Sequence, residues 1–177
     1  MKVICILLIA AVMTGCATAT YTKLTPLKGR YVEEPPIAYS TKSFDEVWDN
    51  VVDVVAQLGF PIKLLDRTNG LLVCEETSLS NTYTLEDKEG KLINPNAFIV
   101  VPRPGNVQGN SIFQFGITGV ANVRIRAEKG RTKINVNLGN IDPESIGTWV
   151  KDEDEYNFYH GIRSTGRFED IIIDLVR

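Results

Sequence analysis

Hydrophobic and polar residues follow two different periods along the chain, and these periods predict helices and strands. Apolar residues recur at helical spacing from residue 44 to residue 58 and again over 168–176. Apolar and polar residues alternate over 123–128 and 133–138, which is typical of strands with one buried and one wet face. The order strand, helix, several antiparallel strands, helix predicts an α+β fold. Its two layers are a mostly antiparallel sheet and two helices packed on one face of that sheet.

The ends of both helices carry recognisable signals. Ser43 and Glu46 form an S-x-x-E capping box at the start of the first helix, whose apolar stripe comprises Phe44, Val47, Trp48, Val51, Val55 and Leu58. We expect Ser164 or Thr165 to cap the last helix. The predicted stripe of that helix comprises Phe168, Ile171, Ile172, Leu175 and Val176.

Two glycine-containing turns predict hairpins. Asn69-Gly70 lies between the strand candidates 62–65 and 71–74, and Lys129-Gly130 joins the two alternating segments. Both turns offer the positive φ angles that a tight hairpin requires.

The chain begins with a short apolar run that predicts export. Val3 to Met13 is an unbroken apolar stretch of eleven residues, whereas a spanning helix needs about 20. The residues that follow it, Thr14-Gly15-Cys16, resemble the lipobox of bacterial lipoproteins. This resemblance implies removal of residues 1–15, acylation of Cys16 and anchoring in a membrane. Ala17, in place of Asp, and the lack of an acidic run after Cys16 favour the periplasmic face of the outer membrane.

The start of the chain has other interpretations, namely a plain secretory signal with an incidental cysteine or an uncleaved buried start. Under the lipoprotein hypothesis, Cys74 is the one thiol that stays free, and we expect it to be a small buried hydrophobe. Residues 16–36 contain four Thr and three Pro without apolar periodicity, which predicts a flexible tether. Residues 37–177 would then form a single domain.

Composition narrows the function classes. The 177 residues are 44% hydrophobic and 23% charged, with a formal net charge of −3. These values are ordinary for a globular domain and exclude a strongly basic nucleic-acid binder, so no nucleic-acid partner is predicted.

Four short segments resemble the helix-grip domains of bacterial lipoproteins, such as the lipoprotein C subunit of the outer-membrane β-barrel assembly machine. The segments are Ser43-Phe44-Asp45-Glu46-Val47-Trp48, Gly59-Phe60-Pro61-Ile62-Lys63, Asn69-Gly70-Leu71-Leu72, and Ser164-Thr165-Gly166 before Phe168-Glu169. The resemblance covers roughly residues 37–177 and implies a helix-grip fold and a place in the envelope. Its motifs are caps and turns, which specify shape rather than activity.

The sequence offers little reactive chemistry. His160 is the only histidine, and a triad with Ser164 and Asp152 lacks a nucleophile-elbow pattern. A calcium loop starting at Asp152 would have Asn157 at its sixth position and Arg163 at its twelfth, where Gly and Glu are required. We therefore predict no catalytic residues, no metal and no cofactor, and we expect the protein not to be an enzyme.

Two surfaces remain as candidates for partner binding. One is the wet face of the last hairpin, with Arg124, Arg126, Lys133, Asn135 and Asn137; the other is an acidic connection whose aromatic residues are Trp149, Tyr156, Phe158 and Tyr159. The first could equally be an ordinary solvated face, and the second could simply pack over a sheet edge. The leading hypothesis is a non-enzymatic, membrane-anchored lipoprotein that acts as a protein-interaction or assembly module with an envelope partner. The alternative is a lipoprotein that binds a small apolar or lipid-like ligand between the sheet and the last helix.

Overall fold

A computed structural model describes residues 24–104, 116–143 and 161–177. Its two described helices are α1 (Phe44–Gln57) and α2 (Arg167–Val176). The described strands are β1 (Leu24–Thr25), β2 (Ile37–Ser40), β3 (Ile62–Asp66), β4 (Leu71–Cys74), β5 (Thr77–Ser78), β6 (Tyr83–Thr84), β7 (Ile99–Val100), β8 (Arg103–Pro104), β9 (Ile117–Glu128), β10 (Arg131–Pro143) and β11 (Arg163–Ser164).

The central sheet has the strand order β2-β10-β9-β4-β3, with β5 paired to the start of β9. All of its neighbouring strands are antiparallel. A smaller sheet has the order β11-β7-β6 and contains the parallel pair β6 and β7. The predicted α+β fold with a mostly antiparallel sheet and two helices is confirmed.

Both predicted hairpin turns are present. Lys129 and Gly130 have φ angles of 50° and 77°, and they connect β9 to β10. Gly70 has a φ of 61°, and a Cβ there would lie 1.9 Å from the carbonyl oxygen of Ile125. Because both the backbone angle and the neighbouring strand exclude a side chain, the turn before β4 requires glycine.

The capping box predicted for α1 is also present. The Ser43 Oγ accepts a hydrogen bond from the Glu46 N–H at 3.3 Å, and the Glu46 carboxylate accepts one from the Ser43 N–H at 2.9 Å. These bonds satisfy backbone donors that the first turn leaves open. The helix then buries Val47, Trp48, Val51 and Val55, while Phe44 and Leu58 pack half-buried at the margin of the core.

The prediction for α2 was wrong in two details. Its N-cap is Gly166, whose φ of 90° turns the chain sharply from β11 into the helix. Ser164 and Thr165 instead accept hydrogen bonds from the Gly166 and Arg167 N–H groups, at 3.1 and 3.2 Å. The buried stripe comprises Phe168, Glu169, Ile172, Ile173 and Val176, whereas the predicted member Leu175 is 47% exposed and the predicted member Ile171 is half-buried.

The core lies between the two helices and one face of the central sheet. Phe60 and Phe98 contact Phe168 of α2, with ring centroids 4.8 and 5.7 Å from its own. The sheet contributes Ala38, Leu72, Cys74, Ala121, Val123, Ile125, Ile134, Val136 and Leu138. Both helices therefore cover the same face, as predicted.

The predicted flexible tether over residues 16–36 was wrong for its second half. Residues 24–36, called here the N-terminal segment, are attached to the domain: β1 pairs with β8, and the Val32 N–H donates to the Ser164 carbonyl at 3.3 Å. The partners of this segment are far away in the chain, so its Thr- and Pro-rich composition did not reveal them. Residues 17–23 separate Cys16 from the first described strand.

Candidate interaction surface

The face of the central sheet opposite the helices is the open face, and the strand register arranges its side chains in rows. Asn135 of β10 is paired with both Ile37 of β2 and Arg124 of β9. Lys133 is paired with Tyr39 and Arg126 in the same way. The third row contains Asn137, Asn122 and Val73.

All five residues predicted for the wet face of the hairpin lie together on this open face. They are Arg124, Arg126, Lys133, Asn135 and Asn137. Arg124 and Arg126 are exposed, and the other three are half-buried. A shallow cavity of about 500 Å³ is lined by four of these residues, all but Asn137, together with Ile37, Ala127 and Glu128.

The cations of the open face are not equally neutralised. The Lys133 ammonium forms an ion pair with Glu128 at 3.7 Å, and the Arg131 guanidinium lies 5.1 Å from the centroid of the Tyr39 ring. The side chains of Arg124 and Arg126 have no hydrogen bond or ion pair with the described residues. Two guanidinium groups are therefore left to solvent, although each can form paired hydrogen bonds to an anion.

Exposed apolar side chains lie on the same face of the sheet, on the edge strand β2. The sequence pattern did not reveal them. In β2 the larger apolar residues Ile37 and Tyr39 face outward, 54% and 44% exposed, while Ala38 and Ser40 face the core. Small residues face inward because the C-terminal end of α2 lies against this strand: the Ser40 hydroxyl donates to the Val176 carbonyl. Contact with a distant helix therefore decided which side of the strand is buried.

The described residues include only some of the candidate reactive side chains. No group of three or more His, Cys, Asp or Glu side chains in the described ranges could hold a metal ion. Burial raises the pKa of the Cys74 thiol to about 11, which fits its expected role as a small buried hydrophobe. Cys16 and His160 lie outside the described residues, as do the predicted aromatic residues Trp149, Tyr156, Phe158 and Tyr159.

A buried carboxylate that no sequence motif indicated holds the N-terminal segment. Glu86 accepts hydrogen bonds from the Lys28 and Gly29 N–H groups at 2.8 and 2.7 Å, and from the Tyr31 hydroxyl. Burial opposes ionisation of Glu86, but these donors outweigh it and lower its pKa. Burial and the adjacent carboxylate together raise the pKa of Tyr31.

A second buried carboxylate, Glu169, holds α2 against the sheet. It accepts hydrogen bonds from the Ser164 hydroxyl at 2.8 Å and from the Leu138 N–H at 3.3 Å. Burial dominates here and raises the pKa of Glu169. The stripe predicted for this helix did not include Glu169, because that stripe was drawn from apolar residues alone.

Comparison with known proteins does not assign a family. No protein-family model matches the chain, and no curated protein matches it either. Among the helices of the described residues, none has the length and apolar character required to cross a bilayer.

Proposed function

We propose that this protein is a non-enzymatic lipoprotein, anchored through acylated Cys16 at the periplasmic face of the outer membrane, that binds an envelope protein through its open face. The single observation that carries the proposal is that the open face presents two guanidinium groups, unneutralised by any described residue, on the same side of the sheet as exposed Ile37 and Tyr39. Arginine and aromatic residues are typical of protein interfaces, and a cationic surface can select its partner by charge.

The short stretch between Cys16 and the first described strand supports a close association of the domain with the membrane. Seven residues, 17–23, separate Cys16 from Leu24. Such a length spans at most about 25 Å when fully extended. A partner at the same membrane surface would therefore be within reach of the domain.

The ligand-binding alternative has less support. It requires space between the sheet and α2, but Phe168, Ile172 and Val176 occupy that interface and are fully buried. A lipid or metabolite retained by the purified protein in native mass spectrometry would reverse this preference.

Photo-crosslinking in cells tests the proposal. A photoreactive amino acid at Asn137 on the open face should capture one envelope protein, while the same group at the exposed Asn50 of α1 should not. The captured protein should disappear when Arg124 and Arg126 are replaced by alanine. The same crosslinked proteins from both positions would contradict the proposal. So would crosslinks at Asn137 that persist when Arg124 and Arg126 are replaced by alanine.

The anchor requires a separate test. Cys16→Ser should abolish fatty-acid labelling and release the protein from the membrane fraction. Labelling that persists in this variant would refute the lipid anchor without bearing on the open face.

A further inference from the structure

The open face can be assigned a partner chemistry from the charges and spacing of its side chains. This assignment rests on the proposed function, because it names the kind of segment that the open face would bind. Arg124 and Arg126 are two residues apart on one strand, and alternate residues of a strand project from the same face about 7 Å apart. An extended peptide repeats its own side chains at the same interval.

We infer that the open face binds an acidic, extended segment of a partner protein, whose carboxylates at alternate positions pair with Arg124 and Arg126. Carboxylates suit the two guanidinium groups because each can accept two parallel hydrogen bonds from the planar fork. Lys133 contributes less, since Glu128 already pairs with it at 3.7 Å.

The neighbouring apolar residues favour a peptide over a simple anion. Ile37 and Tyr39 lie two strands away from Arg124 and Arg126, a distance of about 10 Å across the sheet. An acidic segment that also carries a leucine or an aromatic residue would cover these exposed side chains while its carboxylates reach the arginines. The apolar contact would remain when salt weakens the ion pairs.

Peptide binding to the full chain in detergent micelles tests this inference. The probe is a short synthetic peptide with glutamate at alternate positions and one leucine; a second peptide has the same composition but adjacent glutamates. We expect the alternating peptide to bind more tightly, and its affinity to fall about tenfold in the Arg124→Ala, Arg126→Ala double variant. Arg167→Ala removes an exposed cation from α2 and should leave the affinity unchanged.

Charge reversal provides a second test, because it predicts binding of a new peptide as well as loss of binding of the old one. The Arg124→Glu, Arg126→Glu variant should reject the glutamate peptide and bind a matched peptide with lysine at alternate positions. Circular dichroism checks that each variant is folded.

Three outcomes would overturn the inference: no binding of the glutamate peptide, binding that is independent of both arginines, or binding of phosphatidylglycerol vesicles through these arginines in place of the peptide. Each of these results is distinguishable from failure of the proposed function. If crosslinking at Asn137 still captures an envelope protein, and the capture still requires Arg124 and Arg126, the interaction surface stands and only the acidic peptide chemistry is wrong.

Discussion

The two faces of the β9–β10 hairpin are built from alternate residues of the same strands, yet they differ in what they contribute. On the face covered by the helices, Val123 and Ile134 are fully buried. On the other face, Arg124 and Arg126 point into solvent and have no partner among the described residues. The covered face therefore supplies the stability of the fold. Residues of the open face can change with little loss of stability.

The largest expected effect comes from the covered face. Phe168→Ala removes a fully buried ring that contacts Phe60 and Phe98, and it should lower the free energy of unfolding by about 3–5 kcal/mol. Tyr39→Ala on the open face is the matched control and should cost at most about 1 kcal/mol, including its contact with Arg131. Urea denaturation measures both. Similar losses in the two variants would break the comparison of the faces.

Replacing a buried polar group on the covered face should lower the free energy of unfolding by a smaller amount. Glu169→Ala leaves the Leu138 N–H and the Ser164 hydroxyl without their acceptor, at a cost of about 1–3 kcal/mol. In Glu169→Gln the amide oxygen can still accept from the Leu138 N–H, and the amide N–H can donate to the Ser164 hydroxyl oxygen, so its cost should be lower.

Comparing the pH dependence of the free energy of unfolding in the wild type and in Glu169→Gln tests whether Glu169 titrates as a buried group. Folding raises the pKa of Glu169 above its ordinary value of 4.5, because burial penalises the carboxylate. Its contribution to stability is therefore complete below pH 4.5 and is lost as the pH rises through the folded pKa. As the pH rises above 4.5, the wild-type protein should lose stability relative to Glu169→Gln. Parallel pH profiles of the two proteins would contradict the assignment of this effect to Glu169.

The attachment of the N-terminal segment to Glu86 sharpens the comparison, since it depends on hydrogen bonds to a carboxylate rather than on apolar packing. Tyr31→Phe removes a hydrogen bond to Glu86 and should lower the local opening free energy of this segment by about 1 kcal/mol. Hydrogen exchange of the Lys28 and Gly29 amides, which donate to Glu86, measures that opening.

The sign of the pH effect at Glu86 is opposite to that at Glu169. Its folded pKa is lowered, so its contribution is present above its ordinary pKa of 4.5 and is lost as the pH falls through the folded value. Protection of the Lys28 and Gly29 amides should therefore weaken in acid. In Tyr31→Phe the weakening should begin at a higher pH, and an unchanged profile would exclude Glu86 as the holding group.

The smallest expected effect belongs to the open face itself. Arg124→Ala should change the free energy of unfolding by less than about 0.5 kcal/mol, because the side chain is exposed and unpaired within the described chain. Thermal or urea denaturation measures this change. A loss of about 1 kcal/mol or more, comparable to the loss of a helix cap, would show that the open face also supports the fold.

The amino-acid sequence by itself determined the two helices and the two faces of the β9–β10 hairpin. The alternation around Val123 and Ile134, the Ser43 and Glu46 capping box and the Gly70 turn all act within a few residues, so each is readable without the fold. The prediction that Arg124 and Lys133 share the wet side followed from the same local periodicity.

Only the tertiary structure decided the partners of distant groups. Glu86 holds Lys28 and Gly29, which are 58 and 57 residues away, and Glu169 bonds to Leu138 across 31 residues. Ile37 and Tyr39 face outward because α2 occupies the other side of β2. Local patterns specify which side of an element is apolar, whereas burial and hydrogen bonding depend on which segments the folded chain brings together.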